Sequence, residues 1–251
     1  MDENPVVSTD GRKKLPPALA GKENAVTNRE LILGRIREAL KIVAPPPIFR
    51  ERAPRVAPLP ASPQPWLPPV GETPEEQIEL FRRNAEDLKA EFHACADVGE
   101  AMQHVKHLAA GGGWKKIGRH SGELTDAVAE GLGLAELKTD GGYDVDDLES
   151  CDAALTECEA LVAQTGSVLV SAPSAGGRAL SVLPPHHVVL ARRNQMVPDL
   201  GTALQRMQEK FLDRFPSFFS FISGPSRTGD IERILVLGAH GPKKLTILLL
   251  P

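Results

Sequence analysis

Cysteine is scarce in this chain of 251 residues: Cys95, Cys151 and Cys158 are all it has. An odd number, in a chain long enough to bury an ordinary core, excludes a disulfide scaffold. No CxxC pair occurs and no histidine stands at ligand spacing, so the chain by itself is expected to hold neither an iron–sulfur cluster nor a structural zinc. The thiols are expected as small apolar packing residues in a reducing compartment, the cytoplasm. Long apolar runs are absent too: Leu245–Leu250 is the longest and includes Thr246, whereas a membrane helix needs about 20 residues. No membrane span is expected. Residues 1–26 mix four acids with four bases and hold no apolar stretch of the kind a secretion signal requires. Neither sign of charge dominates, with 29 Lys and Arg against 33 Asp and Glu and a net charge of -4, so there is no general pull toward nucleic acid.

Proline and glycine are what the chain has in quantity, 22 of each. Eleven of the prolines fall between Pro45 and Pro74. Each removes a backbone donor and restricts its predecessor, which predicts an extended linker. Before it, Leu33, Ile36, Leu40 and Val43 are spaced for an amphipathic helix over about 28–43, preceded by a largely polar stretch over 1–26 without a structural pattern. Such a helix suits docking to a partner or folding back on its own domain, and its stripe does not say which. After the linker, Thr73-Pro74-Glu75-Glu76 combines an N-cap, a proline at the first helical position and a reciprocating glutamate. The expected division is an arm over 1–72 and one α/β domain over 73–251.

Within that domain the pattern predicts a long helix from Thr73 with Ile78, Leu80, Phe81, Leu88 and Phe92 on its apolar side. Further helices are expected over about 98–110, 125–131 and 200–214. Strands are expected near 114–118, 134–138, 153–156, 166–170, 188–191, 234–237 and 245–250. Short apolar strands alternating with helices give an α/β class, an open and mostly parallel sheet with helices on both faces.

Three glycine-bearing loops are candidates for chemistry, since ligands of open α/β sheets gather where loops leave strand ends. The first holds Thr165, Gly166 and Ser167 and continues to Gly176, Gly177 and Arg178; its glycines admit a close ligand and its arginine can fork onto an anion. The plain alternative is a tight turn with an exposed arginine. The second holds Gly224, Ser226, Arg227 and Asp230, with Thr228 or Asp230 suited to cap a short helix whose positive end would add to Arg227. The third, Gly238-Ala239-His240-Gly241-Pro242, sets a histidine in a turn as an acid, base or donor, or simply a solvated group. His186 and His187 are adjacent and would face opposite ways on a strand, and His104 and His107 lie on a lysine-bearing helix face, so no metal is assigned.

The run from Glu159 to Val170, followed by Gly177-Arg178-Ala179-Leu180-Ser181-Val182-Leu183-Pro184-Pro185-His186-His187, resembles the lactate-utilisation (LUD) domain family. So does the ending, from Phe221 through Ser226-Arg227-Thr228-Gly229-Asp230 to Val236-Leu237-Gly238-Ala239-His240-Gly241-Pro242. The resemblance covers about 150–250, with weaker support from about 73. It implies a fold like the NagB/RpiA/CoA-transferase group and a place in a cytoplasmic three-protein system oxidising L-lactate to pyruvate. In that system the iron–sulfur clusters belong to partner subunits, and this chain would be a subunit carrying none. Glu159 and His240 are then the candidate catalytic residues, with the loop residues above holding a small anionic ligand. Gln164 departs from the family pattern, which has an acid before its Thr-Gly. A different class of function, suggested by the same fold group, is a stand-alone enzyme or binding protein for a phosphorylated or CoA-linked small molecule.

Overall fold

The computed structural model describes residues 28–41, 68–212, 214–229, 235–237 and 241–251. Residues 1–27, the proline-rich stretch as far as Leu67, Asp230 and His240 lie outside the described residues, and so do the expectations placed on them. The chain divides into two units, Met1–Pro58 and Leu59–Pro251, a boundary inside the proline-rich stretch. In the first unit the described residues form α1, Asn28–Lys41, with Leu31, Ile32 and Ile36 exposed.

The second unit opens with α2, Pro74–Asp87, started by the expected capping box: Thr73 Oγ1 accepts from Glu76 N–H and Glu76 Oε2 accepts from Thr73 N–H. Phe92 does not continue this helix. Lys89 turns the chain at φ 70°, and Phe92 enters a strand, β1 (Glu91–Ala94). The order continues α3 (Val98–Gly112), β2 (Lys116–Arg119), α4 (Glu123–Ala129), β3 (Ala135–Lys138), α5 (Val145–Glu149) and β4 (Ala153–Thr156). Then come β5 (Ala160–Val162), β6 (Ser167–Ser171), β7 (His186–Arg192), β8 (Met196–Val197), α6 (Leu200–Lys210), β9 (Phe219–Ile222), β10 (Arg227–Gly229), β11 (Leu235–Leu237) and β12 (Lys244–Leu250). β1, α5, β5, β8, β9 and β10 add to the elements expected from the sequence. The short helix expected to begin at Thr228 is replaced at that residue by strand: β10 pairs antiparallel with β11, Thr228 opposite Val236.

Six strands form an all-parallel sheet in the order β1-β12-β7-β4-β2-β3. β7 and β12 are apolar along most of their length because both of their faces are covered. Val188, Leu190, Leu248 and Leu250 pack with Ala101, Val105 and Val128 of α3 and α4. Val189, Ala191, Ile247 and Leu249 pack with Phe81 and Ala85 of α2 and with Leu161, Val168 and Val170. Those last three belong to a second sheet, ordered β8-β5-β6-β9, which the sequence does not announce. So one face of the main sheet is covered by helices and the other by α2 together with a small sheet. The outer side of that small sheet, Ala160, Val162 and Leu169, is in turn covered by Ala203 and Met207 of α6. The three cysteines are free and buried, as expected of packing residues, and burial pushes the Cys95 thiol up to about 11. No helix among the described residues is long and apolar enough to cross a membrane.

Candidate functional site

In the parallel sheet the chain leaves β2 outward to β3, then returns to β4 and proceeds the other way through β7 to β12. The direction of winding therefore reverses between β2 and β4, and a crevice opens at the carboxyl ends of strands on either side of such a reversal. Three strand ends meet there. β2 leads into His120 and Ser121, β3 into Thr139 and Asp140, and β4 into Glu157.

His120 is only 4% exposed, and its Nδ1 has no hydrogen-bond partner. Burial holds its pKa below the ordinary histidine value, although the Glu157 and Asp140 carboxylates pull the other way. Glu157 Oε1 accepts the Leu124 N–H at 2.8 Å at the start of α4. A Cβ built on Gly122 would collide with that oxygen and stand 3.0 Å from His120 Nε2, so both groups border the space a side chain at 122 would fill. Burial works against the charge on Asp140, yet the Ser121 N–H at 2.8 Å and the Ser121 hydroxyl at 3.1 Å hold its pKa below the usual aspartate value. Arg119 is buried too, but Glu136 and Asp126 engage its guanidinium. The result is a neutral imidazole with a free nitrogen among carboxylates, a group able to take or give one proton.

The lid of this crevice is part of the first glycine loop. Glu157 N–H donates to Ser174 O, and Thr139 Oγ1 donates to Gly176 O at 3.0 Å. Gly176 has φ 59°, and a Cβ there would come within 2.5 Å of His120 Cβ and of Thr139 Oγ1. Only glycine lets the loop lie this close. Replacing Glu157 with Gln keeps an acceptor for Leu124 but removes a negative charge facing His120. The imidazole is expected to titrate lower still in E157Q, read from its ring resonances in an NMR titration; an unchanged or raised value would contradict this arrangement.

The other residues singled out by sequence fall in two further places. Thr165, Gly166 and Ser167 form the β5–β6 hairpin turn, where Ser167 Oγ meets Ser223 Oγ at 2.7 Å and the Thr165 hydroxyl has no partner. Gly224 lies against the Leu88 carbonyl at the end of α2, with Arg227 Nη2 beside it, and Ser226 N–H donates to Pro242 O. Parts of the three loops, Gly166-Ser167, Ser223-Gly224 and Gly241-Pro242, thus come together near the carboxyl end of α2, whose negative partial charge suits the Arg227 cation. Arg178, next to Gly177, donates to Ser217 O at 3.0 Å. Glu159 has other partners than Glu157: its carboxylate is buried, accepting from Ser171 Oγ on β6 and paired with Lys210 on α6. Gln164 uses a donor that a carboxylate lacks, giving its amide N–H to Pro68 O at 2.8 Å. His120, Thr139, Asp140 and Glu157 are missed by motif reading, although a histidine followed by Ser-Gly directly after a short apolar strand is the positional signal that marks them.

A model of the family described as the LUD domain matches residues 78–250. The chain is 33% identical over 192 residues to lactate utilization protein C of Anoxybacillus flavithermus, covering 72% of this chain and 83% of that protein. It is 33% identical over 106 residues to lactate utilization protein C of Halalkalibacterium halodurans, covering 41% of this chain and 46% of that protein. Against several such relatives the chain thus spans about half their length. In three dimensions it is similar to a DUF162 family protein of Deinococcus radiodurans, known from a crystal structure, with a TM-score of 0.57 at 18% identity, covering 72% of this chain and all of that one. That likeness is one of fold. With nearly the whole of the sheet-bearing unit inside the family match, and one relative aligned over most of its length, the chain belongs to the LUD domain family.

Proposed function

We infer that the protein serves lactate utilisation as a subunit without an iron–sulfur cluster, in a cytoplasmic system that oxidises L-lactate to pyruvate. The observation that carries this reading is the family match together with relatives named lactate utilization protein C, one of them aligned over 83% of its length. In this reading residues 73–251 are the LUD-type domain and 1–72 an arm, and the clusters that receive electrons sit in partner subunits. Removing two electrons from a hydroxy acid also releases two protons. His120 with Glu157 and Asp140, at the reversal point of the sheet, is the group best placed in this chain to handle one of them.

The test is genetic. Deleting the gene should abolish or strongly slow growth on L-lactate as sole carbon source, leave growth on glucose unchanged, and be reversed by a plasmid copy. Unchanged growth of the deletion strain on lactate would overturn the reading. A stand-alone enzyme for phosphorylated ligands fits less well, because the Glu157 and Asp140 carboxylates face His120 and a dianionic phosphate there would meet like charge.

A further inference from the structure

The small sheet ends at β9, the last strand in the order β8-β5-β6-β9. Ala172 N–H donates to Phe218 O at 2.9 Å, and Ser171 stands opposite Phe219 one step on. Backbone groups alternate in direction along an antiparallel strand, so Ser220 and Ile222 bond inward to β6 while the N–H and C=O of Phe219 and Phe221 point outward. Among the described residues no strand pairs with that outer edge. Sheet edges are ordinarily blunted by charge or by shortness, because an open one is a template for another chain. The other edges of the two larger sheets follow that rule: β3 carries Glu136 and Lys138, β1 carries Glu91 and His93, and β8 has only two residues. β9 reads Phe-Ser-Phe-Ile, with neither charge nor proline.

Apolar surface continues beside this edge. Phe221 stands opposite Leu169 and packs on the α6 side of the small sheet, and Phe219, two positions away, shares that side. From Phe219 a row of rings runs to Phe215 at 5.5 Å and on to Phe211, just after α6, at 6.4 Å. Phe215 is 46% exposed, Phe219 39% and Leu212 81%. Strand and rings are neutral. Lys210, over the Phe211 ring at 5.3 Å, is already paired with Glu159, and Arg214, beside Phe215, is exposed and stays in water at the rim.

We propose that β9 pairs antiparallel with β9 of a second copy of this chain, joining the two small sheets into one. With Ser220 of each copy at the centre, Phe219 of one faces Phe221 of the other, and the outward backbone groups of both are satisfied. The twofold axis runs perpendicular to the joined sheet, so the two rows of rings lie side by side on one face. Charge and area favour a second copy as the occupant. A neutral patch matches itself and has nothing with which to select a partner of opposite charge. Covering the strand edge with Leu212, Phe215 and Phe219 removes on the order of 500 Å² per copy from water, the scale of a weak, reversible dimer rather than a permanent one. The argument uses no part of the lactate reading, and the two fail separately: one in growth, the other in association.

The test is sedimentation equilibrium of the purified full chain over a wide concentration range, joined to amide hydrogen exchange read by NMR at its two ends. A reversible monomer–dimer equilibrium in the micromolar range is expected. The Phe219 and Phe221 amides should gain protection as the dimer fills, while those of Ser220 and Ile222, bonded to β6, are protected throughout. Phe219→Lys sets a charge on the edge and should weaken association by about tenfold or more. Leu212→Glu, at the most exposed side chain of the patch, should weaken it in the same direction and serves if Phe219→Lys does not fold. A chain that stays monomeric at every concentration, or a dimer in which the Phe219 and Phe221 amides gain no protection, would overturn the proposal. So would equal association of a folded Phe219→Lys or, failing that, of Leu212→Glu, or protection of those two amides only when another protein is added.

Discussion

Taking the protein from pH 7 to pH 4 should cost it on the order of 5 kcal/mol of stability, chiefly through His186 and His187. Both imidazoles are buried between strands. His186 Nε2 pairs with Thr246 Oγ1 at 2.8 Å and packs edge-on to Trp114, while His187 Nε2 pairs with Thr156 Oγ1 at 2.8 Å on the other flank of β7. Burial brings His186 down to about 4 and His187 down to about 3. Above the ordinary histidine value of about 6.5 both are neutral whether the chain is folded or not, and they place no penalty on folding. Below it, the unfolded chain takes up protons that the folded one refuses. Stability therefore falls as pH drops from about 6.5 toward 4, by up to about 1.4 kcal/mol per pH unit for each histidine. His120, also lowered by burial, acts in the same direction. Urea unfolding followed by circular dichroism at pH 7, 6, 5 and 4.5 measures the slope, and His187→Gln should flatten it. Constant stability between pH 7 and 5 would show that the folded protein accepts these protons.

Gly166→Ala is expected to cost about 3 kcal/mol or more. Gly166 turns β5 into β6 at φ 62°, a left-handed conformation that disfavours any side chain by about 1–2 kcal/mol. An added Cβ would also stand 2.5 Å from Ala85 N and 2.6 Å from Asn84 C, both backbone atoms of α2. The helix is held against the turn, because Asn84 Nδ2 donates to the carbonyls of Ala163 and Gln164, the two residues that lead into it. Overpacking of this kind adds about 1–3 kcal/mol. Gly133, at φ 69° with open space around its would-be Cβ, separates the two contributions: Gly133→Ala should lose only the conformational part. Equal urea midpoints for the two variants would argue that α2 moves freely against the hairpin.

Much of the parallel sheet could be read from the chain, because its signals are local or carried by long apolar runs. β4 falls on the expected residues, and Thr73 and Glu76 form the reciprocal cap their spacing calls for. β1 escapes because the break before it is made by Lys89 rather than glycine or proline, so Phe92 looks like one more turn of helix. Apart from β6, the small sheet escapes because β5 and β8 have three and two residues, too few to show alternation, and because β8 and β9 join it only through partners far away in sequence. The site divides the same way. Gly176, Gly177 and Arg178 are conspicuous as a glycine loop, whereas His120 and Glu157 carry no motif and gain meaning only when β2 and β4 become neighbours. Gln164, conspicuous as a departure from the family pattern, donates to one carbonyl, that of Pro68, which an amide can serve and an ionised carboxylate cannot.

The pairing of β1 with β12 sets a condition on biosynthesis. Glu91 and Thr246 stand side by side and are joined by a hydrogen bond across 155 positions. During vectorial synthesis β1 emerges first among the described strands, yet its one neighbour in the parallel sheet, β12, leaves the ribosome after the other described strands. At translation rates of about 5–20 residues per second, the edge of β1 waits on the order of ten seconds for its mate. Over that interval β1 and the apolar face of α2 stay adhesive, and expression with slowed translation or limited chaperone supply should send this protein to aggregates before it reaches its native sheet.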